Sequence, residues 1–144
     1  MSRVWIGADP GLQGSVSFIP ERGDPWCVKM PESMRDLLDA LIDGAADKVA
    51  VAQVELVHSS PQMGVKSAFT FGQGFGKLEM AFTAAKIPFS YIRPAAWQKA
   101  IGCMSKGDKN VTKSAAQRLF PTMKIYHWNA DSLLIAEYCR RTNV

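Results

Sequence analysis

A short apolar run that ends at a carboxylate and a tight turn constrains the fold more than any other part of the chain. Residues 3–14 read RVWIGADPGLQG, and residues 15–19 (SVSFI) alternate as a half-buried strand does. Pro10, Gly11 and Gly14 favour a turn between these two segments, so the chain is predicted to open with an antiparallel hairpin. Asp9 then lies at the tip of a buried strand, where a metal ion or a phosphate can approach closely. The alternative is that Asp9 caps an ordinary β-turn.

The remainder of the chain alternates between helix and strand patterns. We predict a mixed α/β fold, with a central sheet that begins as an antiparallel hairpin, continues with parallel strands and carries helices on both faces. The predicted strands lie at 26–30, 49–57 and 88–92, and the predicted helices run from Pro31 to Gly44 and at 66–86, 94–101, 111–120 and 130–141, the last capped by Asn129.

Composition is that of a globular protein. The 144 residues are 47% hydrophobic and 21% charged, which predicts a single domain over 1–144. No apolar run is long enough for a bilayer, and residues 1–20 lack a signal-peptide pattern, so we expect a cytoplasmic protein without a membrane partner. Cys27, Cys103 and Cys139 are odd in number and lack metal-type spacing, which predicts reduced thiols. The net charge of +4 permits an anionic partner.

Three acidic residues stand at the ends of predicted elements. Asp9 and Glu55 each end a core strand, and Asp131 is predicted in the first turn of the last helix, where the helix dipole favours its ionised form. If the strands are neighbours and the helix crosses their ends, three carboxylates share one cleft, which requires cations or bound protons. Oxygen ligands select Mg2+ or Mn2+, and two such ions support phosphodiester hydrolysis. Three unrelated acids are the alternative interpretation.

This ordered set resembles the RuvC-type Holliday junction resolvases of the RNase H-like (retroviral-integrase) superfamily, and especially their compact phage or prophage versions. The resemblance implies an RNase H-like fold and a metal-dependent, structure-selective DNA endonuclease. Such an enzyme resolves four-way (Holliday) and related branched junctions by two-metal hydrolysis and contributes to DNA recombination. The matching stretches are GADPG at 7–11, VELVH at 54–58, SAFTFGQGFG at 67–76, RPAAWQK at 93–99 and ADSLLIA at 130–136.

Carried over by position, Asp9, Glu55 and Asp131 look like three of the four metal-binding residues of that family. The chain departs from the family at the fourth ligand, for which the candidates are His127, Asn129 or water. The implied cofactor is Mg2+ or Mn2+, two ions per active site. A histidine ligand favours Mn2+, the softer of these ions.

The resemblance also implies contacts with DNA. Lys99 and Lys109 look like the lysines beside the scissile phosphate, where Lys109 is expected to act in catalysis. His58 matches a position where some relatives carry an aromatic residue that stacks into the junction, with Phe69 and Phe71 as alternatives. A basic surface for phosphates is predicted from Arg93, Lys99, Lys106, Lys109, Lys113, Arg118 and Lys124.

The symmetry of a four-way junction predicts a homodimer. Two cuts related by a near two-fold axis require two sites, and the helix at 66–86 is the expected interface. Gly72 and Gly76 form a smooth groove there, and the phenylalanines of this helix exceed what one core needs.

Three other functions fit parts of the pattern. The missing fourth acid suits a non-catalytic or weakly catalytic module that binds junctions or other nucleic acids. A nuclease of the same fold that acts on flaps or structured RNA is a second alternative. The third is a phosphotransferase related to the actin-like kinases, whose phosphate turn DPGLQG resembles, although the chain is short for their two-domain cleft. For the preferred function, we expect a location in the cytoplasm of a bacterial cell or a phage-infected one.

Overall fold

Five strands form one mixed sheet with the first strand at its centre. A computed structural model describes residues 1–58 and 60–143. The strand order is β3-β2-β1-β4-β5, with β1–β2 and β2–β3 antiparallel and β1–β4 and β4–β5 parallel. The predicted mixed α/β sheet is therefore confirmed. Its strands are β1 (Arg3–Asp9), β2 (Ser15–Pro20), β3 (Trp26–Lys29), β4 (Val49–Glu55) and β5 (Phe89–Ile92).

Helices cover both faces of this sheet. Two of them, α1 and α2, pack on one face, and α5 packs on the other together with α3 and α4. No helix within residues 1–58 and 60–143 combines the length and the apolar character needed to cross a membrane. The helices are α1 (Met34–Ala45), α2 (Val65–Ala84), α3 (Pro94–Ile101), α4 (Lys109–Leu119) and α5 (His127–Thr142).

Alternation along the strands decides which side chains reach each face. In β1, Val4, Ile6 and Ala8 join the core beneath α1 and α2, whereas Trp5 packs with residues of α5 on the other face. Because side chains alternate in a strand, Asp9 lies on the α5 face with Trp5. The same alternation in β4 directs Val54 towards α1 and α2 and Glu55 towards α5. Both strands therefore end with an acid on one common face.

The contact between α5 and β1 is unusually close because Gly7 has no side chain. A Cβ atom at Gly7 would overlap backbone atoms of Ser132 and Ala136 and would lie 2.8 Å from the carbonyl carbon of Ile135. Hydroxyl groups hold the same part of α5 to β2, since Ser132 Oγ lies 2.5 Å from Ser15 Oγ and 2.6 Å from Ser17 Oγ. These contacts fix the height of α5 along the sheet.

The bounds of α1 differ from the prediction at both ends. Pro31 does not open the helix, because Ser33 caps it and accepts a hydrogen bond of 3.0 Å from the backbone N–H of Asp36. Gly44 does not end it either. This glycine lies inside the helix, where its missing side chain admits the ring of Phe18, so packing rather than chain termination explains it.

The last two helices begin earlier than predicted. Asp108 caps α4, so that Lys109 is its first residue, and α5 begins at His127 instead of Ala130. Asn129 lies in the first turn of α5, where its Oδ1 accepts a hydrogen bond of 2.7 Å from the backbone N–H of Tyr126. Asp131 consequently sits in the second turn, beyond the strongest influence of the helix dipole.

The close contact at Gly7 predicts a large effect of one methyl group. We expect Gly7→Ala to lower the free energy of unfolding by about 3 kcal/mol, because α5 must move away from β1 to admit the side chain. Gly74→Ala is the matched control, since Gly74 lies in α2 with open space around it and should gain up to about 1 kcal/mol. Urea unfolding of both variants measures the difference, and a Gly7→Ala protein as stable as the wild type would contradict the packing described.

Candidate functional site

The three predicted acids meet at one end of the sheet. The parallel register pairs Ala8 with Val54, so Asp9 and Glu55, the next residue of each strand, end neighbouring strands on the α5 face. Asp131 comes from α5 and directly precedes Ser132, which is hydrogen-bonded to β2. Each of these three carboxyl groups lies within electrostatic range of at least one other. The fold therefore brings together three acids that lie far apart along the chain.

Burial and mutual repulsion favour the protonated forms of this group. Burial raises the pKa of Asp9 to about 8, and the charges of Glu55 and Asp131 add to the increase. Burial also raises the pKa of Glu55, with Asp131 contributing, and it raises the pKa of Asp131. Asp131 was predicted in the first turn of the last helix, and that position is wrong, because α5 begins at His127. Burial is the largest influence on its pKa there. Three ionised carboxylates therefore require positive charge nearby.

Neutral polar groups from two other helices adjoin two of the acids. The indole N–H of Trp97 in α3 donates to Glu55 Oε2 at 2.8 Å. The hydroxyl group of Thr112 in α4 donates to the backbone oxygen of Lys109 at 3.3 Å and lowers the pKa of Asp131. In the described parts of the chain, no three His, Cys, Asp or Glu side chains are gathered tightly enough, as they stand, to hold a metal ion. The three acids are close enough to influence one another's pKa values, but their oxygens do not converge as the ligands of a bound ion would.

A cation and an imidazole border the pocket. Lys109, the first residue of α4, lowers the pKa of Asp9, of Glu55 and of Asp131 through its charge. His127 is exposed, precedes Asp131 by one helical turn and also lowers its pKa. Three carboxylates are the hard oxygen donors that Mg2+ and Mn2+ prefer, and the imidazole beside them suits Mn2+ better than Mg2+.

Asn129 is committed to the structure of the helix start. Its side chain is buried, its Oδ1 accepts from the N–H of Tyr126, and its Nδ2 donates to the backbone oxygen of Lys124 at 3.1 Å. The oxygen and the nitrogen of the amide therefore both bond backbone groups that precede the helix. To act as the fourth ligand, Asn129 would have to give up one of these hydrogen bonds.

The predicted DNA-binding side chains are mostly exposed to solvent. His58 and Arg93 line an open cavity of about 640 Å³ beyond the ends of β4 and β5, next to Glu55. Ser59, in the same loop, lies outside the described residues. The ion pairs of the described chain join Glu137 to Arg140 and Arg141, so none of them engages the predicted basic surface. Lys113 is half-buried, whereas His58, Arg93, Lys99, Lys106, Lys109 and Arg118 are exposed.

Sequence reasoning missed three residues near the site. Trp97 donates a hydrogen bond to Glu55 and Thr112 lowers the pKa of Asp131, yet a tryptophan or threonine at helical spacing is normally assigned to the core. Lys29 ends β3 at the same end of the sheet, with its Nζ 5.8 Å from the centroid of the Trp128 ring. The strand register could have placed this lysine at the same end of the sheet, because Asp9 pairs with Ser15 and Ser15 pairs with Lys29.

Comparison with known proteins identifies the fold. No protein-family model matches the chain, and neither does any curated protein sequence. Among solved structures, Thermus thermophilus RuvC in complex with a Holliday junction substrate matches with a TM-score of 0.64 and 16% identity, over 98% of this chain and 96% of that one. A second T. thermophilus RuvC structure matches with the same TM-score and identity over 96% of each chain. The chain therefore has a RuvC-type, RNase H-like fold.

Proposed function

We propose that this protein is a metal-dependent, structure-selective endonuclease that cleaves four-way and related branched DNA junctions. The observation that carries the proposal is the meeting of Asp9, Glu55 and Asp131 on one face at the end of the sheet. The fold supports it, because a RuvC of the same fold has been solved with a Holliday junction substrate.

The acids are the proposed metal ligands, with His127 as the fourth. Bound there, Mg2+ or Mn2+, two ions in our proposal, would neutralise the carboxylates and supply the Lewis acidity that phosphodiester hydrolysis requires. Asp9 is coupled to both of the other acids, since the charges of Glu55 and Asp131 contribute to its raised pKa.

The basic residues have two roles in the proposal. Lys109 faces all three acids and is placed to offset the negative charge that grows on the phosphate during cleavage. The exposed cations around it would hold flanking phosphates and keep the junction in register. His58 would contact the DNA beside Glu55, at the cavity that it shares with Arg93.

We also propose a homodimer formed through α2. The first half of this helix exposes large apolar side chains, with Val65 at 90% and Phe69 at 68% of full exposure. The space over Gly72 and Gly76 is open, which permits the close approach of a second helix. Two sites related by a two-fold axis match the two cuts that a four-way junction needs.

Removal of one charge tests the catalytic proposal. We expect Asp9→Asn to abolish the cleavage of a synthetic four-way junction in Mg2+ or Mn2+ while junction binding is retained, because the phosphate contacts lie elsewhere. Asp39→Asn, at an exposed position of α1, is the control and should cleave as the wild type does.

The same assay separates the alternatives. A wild-type protein that binds junctions but cuts none of them in either metal would identify a binding module. If flaps or structured RNA are cut faster than four-way junctions when both are present, the protein is a nuclease of the same fold with that other substrate. Full activity of Asp9→Asn would refute the proposed site.

The raised pKa values predict that the metal-free protein becomes less stable as the pH rises. Asp9 titrates near 8 when folded and near 3.8 when unfolded, so the unfolded chain binds fewer protons between these values. Stability in a chelator should therefore fall as pH rises from 4 to 8, by up to about 1.4 kcal/mol per pH unit from this group.

Thermal unfolding in EDTA measures that slope. Asp9→Asn should flatten it and should be more stable than the wild type at pH 8. Mn2+ should raise the melting temperature of the wild type more at pH 8 than at pH 5, since protons compete with the ion at low pH. A melting temperature that rises between pH 5 and pH 8 in EDTA would contradict the electrostatic account.

A charge on the exposed face of α2 tests the dimer. We expect Phe69→Glu to convert a dimer into a monomer in analytical ultracentrifugation, because the interface would bury an unpaired carboxylate. Asp39→Asn should remain dimeric. A wild-type monomer at micromolar concentrations would refute the proposed interface.

A further inference from the structure

Trp97 makes a directed contact with one of the three acids. Its side chain is fully buried beneath α4 and α5, and its indole N–H donates a 2.8 Å hydrogen bond to Oε2 of Glu55, itself only 8% exposed. We propose that Trp97 is a positioning residue that fixes the Glu55 carboxylate for cation binding. This inference rests on the proposed function, since it assigns Trp97 a task at the same site.

The hydrogen bond restricts Glu55 without occupying the whole carboxylate. Trp97 engages Oε2, and within residues 1–58 and 60–143 no hydrogen bond to Oε1 is formed. A glutamate side chain has three rotatable bonds, whose freedom must be lost before a cation can bind with a fixed geometry. A donor on one oxygen removes that freedom in advance and leaves the other oxygen for the ion. The indole is also neutral, so it adds no positive charge to repel a cation.

The helix that carries Trp97 is itself well anchored. The Trp97 ring is fully buried in an apolar cluster with residues of α4 and α5, so little space is left for it to turn away from Glu55. The next residue, Gln98, accepts hydrogen bonds of 3.1 Å from both the backbone N–H and the hydroxyl group of Ser105. One turn of α3 therefore holds the acid on one side and, on the other, the loop that leads to Lys109.

A simpler explanation is that Glu55 merely satisfies a buried indole. A buried N–H needs an acceptor, and any carboxylate nearby would serve. The two explanations differ in their consequences. If the bond serves only the stability of the fold, its loss affects unfolding and leaves the affinity for cations unchanged, whereas a positioning role affects both.

Replacement of the indole by a phenyl ring distinguishes these explanations. Trp97→Phe keeps an apolar ring and loses the N–H. Trp5→Phe is the matched control, because the indole of Trp5, 8% exposed, donates a comparable 2.9 Å bond to the backbone oxygen of Asn143, away from the acids. Mn2+ binding to the protein without DNA is measured by calorimetry at constant pH, with thermal unfolding alongside.

We expect both variants to lose stability, and Trp97→Phe alone to bind Mn2+ about tenfold or more weakly, the usual effect of removing a partner of a ligand. Junction cleavage by Trp97→Phe should then need a higher Mn2+ concentration and recover at saturation. Equal Mn2+ affinity in the wild type and Trp97→Phe would overturn the positioning role. A wild type that binds no Mn2+ would overturn the proposed metal site as well.

A second replacement separates the hydrogen bond from the packing. Site-specific Trp97→3-benzothienylalanine keeps the shape of the indole and replaces its N–H by sulfur, so it is useful even where the smaller phenyl ring disturbs folding. A Mn2+ affinity weakened to a similar degree as in Trp97→Phe supports the inference. An affinity equal to that of the wild type would show that only the volume of the ring matters and would overturn it.

Discussion

The contact between α5 and β1 at Gly7 is the constraint on which the site depends. At this point the backbone of the helix takes the space that a side chain of the strand would fill, so the two elements cannot slide past one another. The hydroxyl groups of Ser15, Ser17 and Ser132 add direction to this contact, because each hydrogen bond permits one register of helix on strand. Asp131 directly precedes Ser132 in α5. The close packing of this helix on the sheet therefore sets the distance of Asp131 from the strand ends, more rigidly than a surface loop could.

The acids themselves oppose this arrangement. Burial raises the pKa of all three acids, and like charge adds to the increase for Asp9 and Glu55, so the fold holds together groups that would separate if they were free. The framework therefore has to be stable for other reasons, and the buried cores on both faces of the sheet provide that stability. Acids with raised pKa values, buried beside one another, are typical of functional sites, where catalysis or metal binding depends on such environments.

Sequence patterns predicted much of the fold because they report local physical preferences. The alternation in β2, the apolar run of β4 and the turn residues after Asp9 each determine a structure within a few residues of themselves. Gly44 shows where this reasoning fails, because a glycine that ends a helix and one that admits the Phe18 ring have the same local sequence pattern. The predicted start of α5 was wrong for a similar reason, since Asn129 stabilises the helix from within its first turn instead of capping it. Trp97 is a clearer limit, because its partner Glu55 lies 42 residues away and only the folded chain brings them together.

The position of the three acids follows from the topology more than from the particular residues around them. β1 has an antiparallel neighbour on one side and a parallel neighbour on the other, so the chain direction changes beside Asp9. Asp9 and Glu55 end adjacent parallel strands on one face, and α5, which crosses the same face, supplies Asp131. The chain shares its fold with T. thermophilus RuvC at only 16% sequence identity. A requirement on two strand ends and one close helix contact constrains few residues, so it is compatible with such low identity.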